Sequence, residues 1–230
     1  MKYNLNEFED KLNITKDQYN KLLSEINEEK YKEKLKVIPL EVKRTVNEEY
    51  IKTNPDFASN LEQLLKVFII SDSNLTYLSG MSFIAKMILN FANNDIFKAY
   101  IILKNIFEEK YLKEIYDNKY ENIINKFNKI FEEKMPLLFK HFIKNKIQLN
   151  FVPYWLMTLF CFNFDEKIAK YVFNLYLQKR DFIIYFNSVI SILKVLENDL
   201  LKKNEMDIFI ILNSTNLNID FDKFINNLEN

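Results

Sequence analysis

Along most of the chain, apolar positions recur three and four residues apart, the spacing of amphipathic helices. Thr15 and Gln18 have the form of a capping box, and Tyr19, Leu22, Leu23 and Ile26 follow as one face. Phe57, Leu61, Leu64, Leu65 and Phe68 outline the next stripe. Met81, Ile84, Ala85, Ile88, Phe91 and Ala92 outline another. Asn94 and Asp95 stand where a cap belongs, ahead of Phe97, Ile101, Leu103 and Phe107. Tyr120, Ile123, Ile124, Phe127, Ile130 and Phe131 keep helical spacing closely, and Pro136 suits the first turn of a short helix after them. Residues 186–194, 206–212 and 221–228 close the pattern, the last capped by Asp220. Residues 28–36 read as a solvated helix face with Glu28 and Lys32 at the favourable i,i+4 spacing. Residues 37–45 alternate apolar and polar, and Pro39 disfavours helix at Ile38. That stretch is expected to break the helix and run as an extended surface loop with Arg44 at its end. The expected fold is all-α: a single domain of many short packed helices over residues 1–230, with Ile84, Ile88, Trp155, Leu159 and Phe160 buried.

Composition narrows this further. Hydrophobic residues make up 48% and charged residues 28%, which suits a globular chain with a substantial core. One glycine and four prolines cannot supply the turns of an all-β fold. They also exclude glycine-rich phosphate loops within this chain. Lys+Arg and Asp+Glu both number 32, so no global basic field draws nucleic acid or anionic membrane. Cys161 is the sole cysteine, which precludes an intrachain disulfide and suits a reducing compartment. It is expected to be a buried, inert thiol. His141, the sole histidine, has no second histidine or cysteine at metal-ligand spacing and reads as a packed side chain; no metal site is expected. The N-terminal residues, Met1-Lys2-Tyr3-Asn4, carry no hydrophobic signal region. The most apolar run, residues 151–164, suits a core helix and falls short of the roughly 20 residues of a membrane span.

Gly80, the only glycine, sits in Tyr77-Leu78-Ser79-Gly80-Met81-Ser82-Phe83, at the mouth of an apolar helix. It supplies either a positive φ or a close approach of another backbone. The approaching group is a packed helix or a partner. Tyr77-x-Ser79-Gly80-Met81 resembles the tyrosine–x–glutamine–glycine–methionine signature of TBC domains, the GTPase-activating domains for Rab GTPases, with Ser79 in place of the glutamine. Ile38, Glu41 and Arg44 have the spacing of that family's Ile-x-x-Asp-x-x-Arg, and Thr45 matches the threonine that commonly follows. Tyr154-Trp155-Leu156-Met157-Thr158-Leu159-Phe160 resembles its Trp-Phe-Leu-Thr-Leu-Phe helix. Val172 to Leu177 stand where it has Ile-Trp-Asp-x-x-Leu, and Arg180-Asp181 replace its Glu-Gly. The resemblance covers residues 15–215 in order, although the family's opening tryptophan and several of its glycines are missing.

The resemblance implies a Rab-family small GTPase as partner, which carries its own GTP and magnesium; the chain needs no cofactor. It implies Arg44 as an arginine finger, Glu41 and Ser79 as supporting residues, and Thr45, Tyr77 and Gly80 as partner-binding. It implies a role in vesicle trafficking, in the cytoplasm or peripherally on endomembranes. A serine is too short to position water as the family's glutamine does. Two readings therefore stay open: an altered activator that relies on Arg44 and the GTPase's own glutamine, or a module that binds a Rab without accelerating hydrolysis. In neither does the chain have substrate chemistry of its own. A helical scaffold of armadillo type would need a repeat period, and the sequence has none.

Overall fold

A computed structural model describes residues 14–215 and 217–229. Residues 1–13, where the sequence reading expects no signal region, lie outside them. The described residues are helical and contain no named strand; Phe164 and Leu217 share an isolated parallel bridge. They fall into two compact units, one ending at Glu109 and the other beginning at Lys110.

In the first unit, α1 (Lys16–Glu25) starts at the expected capping box, with Thr15 and Gln18 bonded reciprocally. A 3-10 turn (Glu29–Tyr31) and α2 (Lys32–Leu35) follow. Here the structure differs from the expected ion pair: Lys32 bonds Glu29, and Glu28 pairs with Lys30. The tight turn interrupts the α-helical register that would bring Glu28 and Lys32 together.

Residues 37–45 are not an extended loop. They form α3 (Ile38–Thr45), with Pro39 in its first turn. The N–H that proline lacks would have no intrahelical partner there. The buried positions Ile38, Val42 and Thr45 follow steps of four and three, and this helical period overrides the short alternation. After α4 (Glu48–Thr53), α5 (Phe57–Ile70) forms the centre of the unit. Eight of its side chains are buried, against α1, α2, α3, α6 (Met81–Phe91) and α7 (Ile96–Phe107). Asp95 caps α7 by accepting from the Lys98 N–H.

The second unit contains α8 (Lys110–Tyr116), α9 (Tyr120–Lys134), α10 (Pro136–Lys144), α11 (Phe151–Met157), α12 (Glu166–Lys179), α13 (Ile183–Leu200), α14 (Glu205–Leu212) and α15 (Phe221–Glu229). Trp155, Leu159 and Phe160 are buried here, and Ile84 and Ile88 are buried in the first unit. The Trp155 indole N–H donates to Leu212 O at 3.0 Å. His141 is half-buried, with Nε2 3.2 Å from Lys203 O.

The apolar run 151–164 is only partly helix. It stops at Met157, and the next turn is closed by Leu159 N–H to Leu156 O and Phe160 N–H to Trp155 O. This is the hydrogen-bond pattern of a Schellman C-cap. Leu159 (φ 48°) and Phe160 (φ 69°) both take the left-handed conformation there. Burial of both side chains stabilises a backbone that ordinarily falls to glycine. Cys161, just past this turn, is half-exposed and not buried as expected. Arg180, where the resembled family has Glu-Gly, also takes a positive φ, of 55°.

Burial above all, and then a hydrogen bond to Glu229, push the Tyr171 phenol up from 10.0 to about 12. Between those values the unfolded chain gives up this proton while the folded chain keeps it. Stability should therefore fall as pH rises through that window and be untouched by Tyr171 below it. Tyr171→Phe is expected to flatten that part of the curve in urea unfolding followed as a function of pH.

Candidate functional site

The candidate residues lie on α3 and on the corner that leads into α6. Glu41 and Arg44 are three apart on one helix, so the helix itself brings their side chains together. Arg44 Nη1 donates to Glu41 Oε1 at 3.0 Å. The arginine side chain is 66% exposed and the glutamate only 13%, so the carboxylate is the fixed partner and the guanidinium faces solvent.

The other carboxylate oxygen of Glu41 accepts from the Tyr77 hydroxyl at 3.4 Å. Tyr77 in turn accepts from the backbone N–H of Ser82 at 3.3 Å. Burial is the main reason its phenol stays above the ordinary tyrosine range; the Ser82 bond opposes this and the Glu41 charge adds to it. Tyr77 thus remains a neutral donor. It also satisfies a first-turn N–H of α6, a helix whose N-cap, Gly80, has no side chain to do so.

Leu78, Ser79, Gly80 and Met81 make a tight turn closed by Met81 N–H to Leu78 O at 3.2 Å. Gly80 has φ 100° and ψ −21°, the conformation a type II turn needs at its third residue. Of the two alternatives for Gly80, the positive φ is what the backbone shows. Ser79 precedes it with an exposed side chain, while Gly80 is buried. Gly80→Ala would place a Cβ in a region closed to it. It is expected to cost about 1–2 kcal/mol and to lower the thermal midpoint by roughly 2–8 °C in a scanning melt.

Thr45 is buried, and its hydroxyl lies 2.7 Å from both Glu41 O and the Ser82 hydroxyl. It therefore fastens α3 to α6 beneath the surface. Glu41 joins Arg44 to Tyr77, two positions before Ser79, so the two sequence motifs meet through one carboxylate. Ser82, Lys86, Tyr50 and Asn90 also belong to this region, and none was singled out by the apolar pattern. Their signal was a polar stripe, Ser82, Lys86 and Asn90, four apart within an apolar helix.

Among the described residues, no helix is long and apolar enough to cross a membrane. The fold is similar to the crystal structure of the Chlamydomonas flagellar RabGAP TBC domain, with a TM-score of 0.81 over 97% of this chain and 75% of that one at 16% identity. That likeness concerns the path of the chain. The sequence itself matches the family model for the Rab-GTPase-TBC domain over residues 2–201, a stretch that contains both α3 and the Gly80 corner. By that match, this chain belongs to the Rab-GTPase-TBC domain family.

Proposed function

We propose that the chain is a GTPase-activating protein for a Rab-type GTPase and that it inserts Arg44 as an arginine finger. The observation that carries this reading is the Glu41 carboxylate, nearly buried and shared between Arg44 and Tyr77. It holds an exposed guanidinium in one direction before any partner arrives. A fixed, always-charged, planar donor set is suited to the oxygens of a transferring phosphoryl group. GTP and magnesium belong to the partner. Glu41 orients the finger, Thr45 and Tyr77 fasten its helix to the Gly80 corner, and Ser79 stands where a water-positioning amide would be. The family match runs across both units, which supports treating residues 1–230 as one TBC-like domain. The reading also places the chain in vesicle trafficking, in the cytoplasm or peripherally on endomembranes.

Ser79 favours a second reading. Its hydroxyl is exposed but short, and without an amide the chain would bind a GTP-loaded Rab without accelerating hydrolysis. The experiment that separates the two is single-turnover GTP hydrolysis by a panel of Rab proteins, with and without the chain, alongside binding of their GTP forms. Stimulation supports the finger. Binding of the GTP form without stimulation supports the module, and neither result across the panel removes both.

A further inference from the structure

Three polar side chains line one face of α6 four residues apart, and each grips the segment that begins with the helix of Arg44. The Ser82 hydroxyl pairs with the Thr45 hydroxyl at 2.7 Å. Lys86 Nζ donates to Thr45 O at 3.3 Å and stands 5.6 Å from the centre of the Tyr50 ring. Asn90 Oδ1 accepts from the Tyr50 hydroxyl at 2.6 Å. Thr45 ends α3, so its carbonyl is among those a helix leaves without an intrahelical partner. An ammonium at that end is favoured by the helix dipole and makes a charge-assisted bond.

We infer that Lys86 is a positioning residue for Arg44: it anchors the C-terminal end of α3 and so sets where the guanidinium of the preceding residue projects. This rests on the arginine-finger reading. Lys86 is half-buried and engaged with Thr45 and Tyr50, so it acts through the helix. Ser82 fixes the Thr45 side chain and Lys86 fixes its carbonyl. Two contacts on adjacent groups of one residue resist both sliding and rotation of the helix end. A displacement of about 1 Å in a catalytic group can cost about a hundredfold in rate.

The test uses the full chain with Lys86→Met, which keeps length and loses the ammonium, and Lys86→Arg, which keeps a cationic donor. With a responsive Rab, Lys86→Met is expected to lower the saturated rate about ten- to a hundredfold with KM within about twofold, and Lys86→Arg to recover most of it. Arg44→Ala with Lys86→Met should be no slower than Arg44→Ala alone, because Lys86 acts through Arg44. An unchanged rate, a loss confined to KM, or losses that multiply in the double variant would each overturn the inference. If the wild type stimulates no Rab, the finger reading fails separately. The anchoring role then rests on amide exchange at Val46, whose N–H closes α3 onto Val42 O. Exchange there should quicken in Lys86→Met and hold in Lys86→Arg; no change in Lys86→Met overturns it. Should Lys86→Met fail to fold, Lys86→Gln, a neutral donor, takes its place in both measurements with the same expected direction.

Discussion

Arg44→Ala is expected to lower the stimulated rate of Rab GTP hydrolysis by about a thousandfold or more, the scale on which arginine fingers act. The barrier is charge building on the phosphoryl oxygens, and alanine offers nothing to neutralise it. Binding of the GTP form should change far less, since the guanidinium interaction matures in the transition state. The fold should hold. Arg44 is mostly exposed, and Glu41 keeps its bond from Tyr77 when the arginine is gone. A surface change of this kind typically moves stability by about 0.5 kcal/mol or less. Single-turnover hydrolysis at saturating chain, paired with a thermal melt, checks both halves. A variant as fast as the wild type would leave Arg44 an ordinary surface residue and turn the case toward the binding module.

Ser79→Gln carries the second large effect, in the opposite direction. Ser79 is the exposed residue of the turn before Gly80, so a longer side chain meets no packed neighbour and the corner should accept it. The amide would reach outward with a donor and an acceptor, the two functions needed to hold an attacking water. A positioned donor at a reacting centre is worth about a hundredfold or more. The gain should be largest with a Rab whose own glutamine has been replaced, because that partner supplies no competing amide. An active wild type left unchanged by Ser79→Gln would mean that the water is held elsewhere.

The helical architecture was legible because amphipathic spacing is a property of local sequence, and caps such as Thr15, Asp95 and Asp220 mark its boundaries directly. The misreading of residues 37–45 came from weighing Pro39 as a breaker. A proline inside the first turn costs no hydrogen bond, and its place in the turn depends on where the helix starts. The 151–164 run misled for a related reason: composition does not reveal that Leu159 and Phe160 bend the backbone to the left. At the site, motif spacing pointed to Arg44, Glu41 and Tyr77. It could not show that Glu41 is shared, because that contact joins two elements far apart in the chain. Lys86 and Asn90 stood out only as polar positions on an apolar helix, and their partners Thr45 and Tyr50 were illegible for the same reason. A polar residue on an apolar helix reads as a solvated position until its partner is placed opposite.

The left-handed bends at Asn93, Asn94, Asn118, Lys146, Leu159, Phe160 and Arg180 bear on how such chains are found. Glycine is the letter by which a bend usually announces itself in a sequence. Here these corners are made without it: three fall on asparagine, which tolerates the left-handed conformation, Leu159 and Phe160 are held by burial, and backbone hydrogen bonds close the turns. At these corners shape and spelling are uncoupled. A comparison that rewards shared glycines will undervalue such a chain, whereas one that scores the sign of φ at each corner would still recognise its course.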